Sequence, residues 1–287
     1  MIEAKTTTEV LLQALPYIKR FRGKVVVVKY GGSAMTDEAL ARQFAEDVVL
    51  MHQVGIKPVI VHGGGPQITE LHGRLGKSTE FKDGHRVTDA ESLDITRMVL
   101  VGKVNREIVS LINRHGPHAV GIAGEDAGLL LATERHPELG FVGDVKAVNP
   151  HLIHKLLAED LIPVISTIGS DAQGQAYNIN ADAVAGAVAA TLGAEKVVYL
   201  TDVEGLRHDV ADETTLINRT TADQLDALVE QGVIGTGMIP KVAACIHAVR
   251  NGVASAHMVN GTTPHVLLVE LFTDAGIGTM ITTEETP

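Results

Sequence analysis

Lys24-Val-Val-Val-Val-Lys-Tyr-Gly-Gly-Ser33 is answered further along by Lys57-Pro-Val-Ile-Val-His-Gly-Gly-Gly-Pro66. Each stretch is an apolar, β-branched run that ends in a cluster of glycines, so strands are expected over 24–30 and 57–62. Between them, residues 38–54 have helical composition and stop at Gly55, a suitable C-cap. The unit is βαβ. In a parallel sheet both glycine loops emerge at the C-terminal edges of their strands, where open α/β folds bind ligands. Glycine lets main-chain N–H groups approach an anion closely, and a following helix N-terminus adds a favourable dipole. Two such clusters flanking one βαβ unit can converge on one phosphate.

Working outward, the same alternation continues. Strands are expected over 119–122, 163–165 and 197–200, and helices over 152–159 and, rich in alanine, 181–192. The fold class that follows is α/β, a three-layer αβα sandwich with a mainly parallel central sheet. Beyond Gly193 come the loop Thr201-Asp-Val-Glu-Gly205, helices over 222–230 and 239–249, and short strands over 257–259 and near Met280. The expected organisation is an N-terminal amphipathic helix within 1–22, a lobe over 23–193 and a second lobe over 194–287. The helix spans 10–21 and carries Pro16, where a kink is expected.

Composition narrows the function. Of 287 residues, 45% are hydrophobic, which favours a folded α/β protein over a disordered one. Lys and Arg number 24 against 35 Asp and Glu, a net charge of -11, which disfavours nucleic acid and anionic membranes as partners. The single cysteine, Cys245, leaves no intramolecular disulfide framework and suits a reducing, cytoplasmic compartment. No apolar run approaches the roughly 18 residues needed to cross a bilayer.

Several motifs can be set aside. Gly73-Arg-Leu-Gly-Lys-Ser78 resembles a P-loop, but the first glycine of that motif would fall at Leu71. No G-x-G-x-x-G opens a helix after the first strand, and no His-Glu-x-x-His is present. Lys29 read alone is an edge charge; followed by Gly31 and Gly32 it becomes an ammonium aimed at phosphate. Lys241, after Gly235-Thr-Gly-Met-Ile-Pro240, falls in the first turn of a helix, where a cation opposes the dipole unless an anion meets it. Asp182 at a helix start is either a cap or a functional carboxylate, and Asn178 and Asn180 are either turn formers or ligands. Arg86 is either a surface charge or a clamp for a substrate carboxylate.

In this order, K-Y-G-G-S-A, V-H-G-G-G-P, G-H-R-V-T, N-I-N-A-D, L-T-D-V-E-G and G-M-I-P-K resemble the amino acid kinase family over nearly the whole chain. Arg86 in its motif and the N-x-N-A-D segment point to the branch that acts on N-acetyl-L-glutamate. The resemblance implies the amino acid kinase fold and transfer of the ATP γ-phosphoryl group to the side-chain carboxylate of acetylglutamate, in arginine biosynthesis. A carboxylate nucleophile is already ionised at neutral pH, so no general base is required.

The resemblance further implies that Lys29 and Lys241 neutralise the transferring group while Asp182 orients both. Gly31, Gly32 and Gly64 would hold phosphoryl oxygens; Gly64, Gly65, Arg86, Asn178 and Asn180 would hold the acid. Thr201, Asp202, Gly205, Leu206, Gly235, Gly237 and Met238 would hold the nucleotide. Mg²⁺ would bridge the phosphates with no direct protein ligand. The N-terminal helix and the segment from Glu270 to Ile281 resemble arginine-inhibited, hexameric members, with Tyr17, Lys196, Glu270 and Gly278 as effector contacts and a PII-type nitrogen-signalling protein as a possible partner. Two alternatives stay open: a sibling kinase acting on another carboxylate or a carbamate, and an arginine-sensing assembly whose kinase site has decayed.

Overall fold

The computed structural model describes residues 4–82, 84–209, 212–235, 237–274 and 276–284. Helix α1 (Ala4–Phe21) is continuous through Pro16 and starts earlier than its apolar pattern does. It delivers the chain to β1 (Val25–Tyr30), a short 3-10 turn over Gly32–Met35, and α2 (Glu38–Gln53). The Asp37 carboxylate caps α2 by accepting from the N–H groups of Ala39 and Leu40, and Gly55 ends it at φ +90. Next come β2 (Lys57–His62) and α3 (Gly65–Arg74), which opens on the second glycine cluster. The P-loop look-alike falls at the end of α3, clear of any strand end.

A hairpin of β3 (Phe81–Lys82) and β4 (His85–Arg86) follows, then α4 (Ala90–Arg97), a π-helical turn over Met98–Val104, and α5 (Asn105–Asn113). The chain continues as β5 (Ala119–Ala123), β6 (Leu130–Glu134), β7 (Val142–Val148), α6 (His151–Ala158), β8 (Ile162–Ser166), β9 (Ile168–Ser170) and β10 (Ala176–Ile179). It ends with α7 (Ala181–Thr191), β11 (Lys196–Thr201), β12 (Arg219–Thr221), α8 (Ala222–Glu230), α9 (Ile239–Arg250), β13 (Ser255–Asn260), α10 (Val266–Phe272) and β14 (Thr279–Thr282).

One sheet spans the molecule in the order β12-β14-β13-β11-β1-β2-β8-β5, parallel throughout except between β13 and β14. Helices cover both faces, as the αβα expectation requires. Alternation along β1 sends Val27 into the layer with α7 and α9, and Val26 and Val28 into the layer with α2 and α5. A second, closed four-stranded sheet, β10-β7-β6-β9, sits beside the first. The sequence reading missed it, because strands as short as Ile168–Ser170 carry too few residues to show a period. Among the described residues, no helix is long and apolar enough to cross a membrane.

Asp47 of α2 is buried and accepts from His265 Nδ1 at 2.6 Å, tying α2 to the residue before α10, which itself adopts φ +53. Burial pushes the Asp47 carboxyl up to about 6 against its ordinary 3.8, and His265 offsets only part of that. A raised carboxyl contributes stability that is complete below 3.8 and lost as pH rises through about 6. Relative to Asp47→Asn, the parent should gain up to about 3 kcal/mol between pH 7 and pH 4. Urea unfolding across that range checks this; parallel stability curves for the two proteins would rule it out.

Candidate active site

The end of β1 and the starts of α7 and α9 meet at one carboxylate. Lys29 Nζ stands 3.1 Å from Asp182 Oδ1, and Lys241 Nζ stands 2.8 Å from Asp182 Oδ2. All three residues are reached by separate segments, and Asp182 is only 4% exposed. Burial pushes its carboxyl upward, but the two ammonium groups more than offset that and hold it below the ordinary value. Two cations against one anion leave a surplus positive charge beside the first glycine cluster. Gly31 lies directly against the Lys29 ammonium: a Cβ there would stand 2.7 Å from Nζ. Lys29 is thus no edge charge, and the unfavourable first-turn position of Lys241 is answered by a carboxylate.

Asp182 is not the cap of its helix. That task falls to Asn180, whose Oδ1 accepts from the N–H groups of Asp182 and Ala183 at 2.8 and 3.2 Å. With the cap supplied from position 180, the carboxylate two residues on is released to face the lysines. Asn178 is not in a turn either; it lies on β10, paired with Val142 and Ile168. One turn after Lys241, Cys245 is fully buried on α9.

The second cluster is held from behind by a histidine that sequence reasoning did not single out. His62, fully buried at the end of β2, donates from Nδ1 to the Gly63 carbonyl at 2.8 Å and accepts at Nε2 from the Asn105 amide at 3.1 Å. Burial lowers its pKa to about 4, so the ring is neutral. Gly64 caps α3 and Gly65 is its first residue, which places their N–H groups among those a helix leaves unpaired. A side chain at 64 would strike Leu100 at 2.6 Å. Arg86 is buried rather than on the surface, donating to Gly65 O, Thr69 Oγ1 and Thr79 Oγ1 at 3.2, 2.8 and 3.1 Å, with Phe81 stacked beneath its guanidinium. The structure therefore brings Arg86 to the second cluster.

The expected nucleotide residues are divided between the end of β11 with the loop after it and the turn before α9. A cleft of about 320 Å³ is lined by Asp202, Gly205, Leu206, Gly235 and Met238, together with Ile234 and Asn260, which the motifs did not flag. Thr201 lies buried at the end of β11, its hydroxyl donating to Val203 O at 2.7 Å, and Gly237 adjoins Met238 in the turn that opens α9. Asp202 also reaches the first cluster, where its Oδ1 accepts from the Ser33 N–H at 2.7 Å. Gly32, at φ +72, holds a backbone conformation that a side chain would strain, and that same carboxylate lies against it.

A separate charged cluster lies beneath α1. Glu270 pairs with Lys196 Nζ and with His257 Nδ1, each at 2.7 Å, and Phe21 of α1 lies 5.5 Å from the Lys196 ammonium. Burial raises the Glu270 carboxyl, but His257 and Lys196 outweigh it and hold the carboxyl below its ordinary range. The Asp274 carboxylate beside Tyr17 raises the phenol pKa above its ordinary value. Gly278, at φ +78, fits against the carbonyls of Met258 and Glu204, a close approach that excludes a side chain. It sits behind the nucleotide loop, since Glu204 belongs to that loop.

Residues 24–260 match the model of the amino acid kinase family. An acetylglutamate kinase of Saccharopolyspora erythraea is 51% identical, covering 97% of this chain and 93% of that protein. One from Moorella thermoacetica is 50% identical with 96% of both chains covered. Among solved structures, N-acetylglutamate synthase from Neisseria gonorrhoeae, complexed with coenzyme A and N-acetyl-glutamate, superposes with a TM-score of 0.85 at 25% identity. The match covers 97% of this chain and 64% of the synthase. With two glycine clusters at neighbouring strand ends, two lysines on one buried aspartate and these relatives along its whole length, the chain belongs to the amino acid kinase family, in its acetylglutamate kinase branch.

Proposed function

We infer that the chain transfers the γ-phosphoryl group of ATP to the side-chain carboxylate of N-acetyl-L-glutamate, yielding N-acetylglutamyl 5-phosphate and ADP in arginine biosynthesis. The observation that carries the chemistry is the Lys29–Asp182–Lys241 arrangement, with one ammonium on each oxygen of a buried carboxylate. In phosphoryl transfer charge develops on the equatorial oxygens, and fixed cations stabilise it without reorganising. Asp182 keeps the two ammonium groups from separating by mutual repulsion. The nucleophile is a substrate carboxylate, so proton abstraction is not part of the step.

Gly31 and Gly32 line the phosphoryl position, Gly64 and Gly65 face the reacting carboxylate, and Arg86 with Asn178 and Asn180 receives the rest of the acid. Thr201, Asp202, Gly205, Leu206, Gly235, Gly237 and Met238 take the nucleotide. Mg²⁺ enters with ATP as part of the substrate complex. The two-lobe division at residue 193 follows: the boundary crosses between β1 and β11, with the acid on one side and the nucleotide on the other.

Feedback inhibition by arginine and assembly into a hexamer complete the proposal. Supporting the assembly, α1 exposes Val10, Leu11, Leu12 and Leu15, an apolar stripe that water does not favour and a second copy would cover. Supporting the effector site, Glu270 and Lys196 form a buried ion pair next to α1, with Tyr17 on the same helix, groups that suit an amino acid bearing a guanidinium.

Lys29→Ala and Lys241→Ala should each lower kcat roughly 10²- to 10³-fold with KM values for both substrates changed only severalfold. Acyl phosphate trapped as hydroxamate gives the readout, and full turnover in either variant would remove that lysine from the reaction. Arg86→Ala should raise KM for acetylglutamate by roughly tenfold or more, leaving KM for ATP nearly unchanged. The same assay run across glutamate, aspartate and carbamate separates this reading from a sibling kinase. Deleting residues 1–22 should abolish arginine inhibition and reduce the particle mass in light scattering; retained inhibition at unchanged mass would refute the account of α1.

A further inference from the structure

Helix α7 reads Ala181-Asp-Ala-Val-Ala-Gly-Ala-Val-Ala-Ala-Thr191, with one glycine, Gly186, at its centre. Glycine inside a helix is destabilising relative to alanine, and every neighbouring small residue here is alanine. The reason lies in what faces the position. A methyl at 186 would stand 2.9 Å from the Ala244 carbonyl oxygen on α9 and 3.0 Å from the Tyr199 hydroxyl on β11. The first is helix backbone and the second belongs to a fully buried ring, so neither swings aside as the tip of a flexible side chain would.

These contacts stand directly behind the charged groups. Gly186 lies one turn after Asp182 on α7, and Ala244 lies one turn after Lys241 on α9. Tyr199 pairs with Lys29 in the register of β1 and β11, and its hydroxyl reaches to 3.5 Å from the Asp182 carbonyl. Each member of the triad is thus backed by one of three residues that meet at a single point.

We propose that Gly186, together with Tyr199, is the positioning element that fixes how closely α7 and α9 approach, and so holds Lys241 at 2.8 Å from Asp182. The inference rests on the reading of the triad given above. A side chain larger than hydrogen at 186 forces α9 outward, and α9 carries the ammonium. Geometry at a transferring group is unforgiving, since a displacement of about 1 Å costs on the order of 10²-fold in rate.

Gly186→Ala tests this. The variant should fold with parental circular dichroism, show kcat lowered roughly 10- to 100-fold, and keep KM for ATP and acetylglutamate within about twofold. In a Lys241→Ala background the same substitution should change kcat by less than about twofold, because the group whose position it sets is already gone. A folded Gly186→Ala enzyme with parental kcat would overturn the proposal, as would effects that multiply in the double variant. If Gly186→Ala does not accumulate folded, Tyr199→Phe carries the test: kcat lowered severalfold at unchanged KM supports the proposal, and parental kcat overturns it. Crystal structures of parent and Gly186→Ala read the spacing without turnover. Displacement of α9 with Lys241 withdrawn from Asp182 supports the proposal, and an unmoved α9 overturns it. A parent that forms no acyl phosphate, yet shows that displacement, would overturn the functional reading and leave the positioning role standing.

Discussion

The structure depends on the neutralisation of one buried carboxylate by two ammonium groups drawn from opposite parts of the chain. Lys29 arrives on the first long strand, Asp182 on a helix in the middle, and Lys241 on a helix near the end. Removing Asp182 would leave two ammonium groups facing each other with no carboxylate between them, whereas removing either lysine leaves a single ion pair and takes away the surplus positive charge. The parallel sheet is what makes the meeting possible, because it brings the C-terminal edges of β1 and β11 side by side and lays α7 across them. The charged triad and the fold are therefore mutually dependent. A sheet with a different strand order would not bring Lys29 beneath the helix that carries Asp182.

Around that centre each glycine cluster is shaped by what presses against it. Gly31 yields to the Lys29 ammonium, Gly32 to the Asp202 carboxylate and Gly64 to Leu100. All three neighbours are side-chain tips that can move aside, so the firmest requirement for glycine is at Gly32, whose φ of +72 strains any side chain. His62 shows the complementary device: a neutral, buried ring fixes a loop carbonyl and is itself fixed by Asn105.

Much of this was legible in the amino-acid sequence, for reasons that differ by element. Long β-branched runs and capped helices carry their own period, so β1, α2 and β2 appeared close to their observed bounds. The closed sheet of β6, β7, β9 and β10 did not, because its strands are short and held by tertiary pairing. Asp182 was ambiguous on sequence grounds, since an acidic residue at a helix start serves as a cap or as a ligand equally well. Only the observed cap at Asn180 separates the two. Arg86 likewise gave no hint of burial, because the threonines that receive it, Thr69 and Thr79, lie on a different helix and loop. His62 stands inside the second motif without marking its role, Asn105 and Tyr199 carry no motif, and all three act through positions that exist only once the sheet has formed.

Cys245 illustrates how this architecture shelters its chemistry. The thiol lies one turn from Lys241 and near Asp182, yet burial, with Asp182 adding to it, raises its pKa well above the ordinary value. A thiol that stays protonated and unreachable reacts slowly with peroxides and alkylating reagents, which attack the thiolate. A sulfur atom thus lies in the core one turn from Lys241 without presenting a thiolate to solvent.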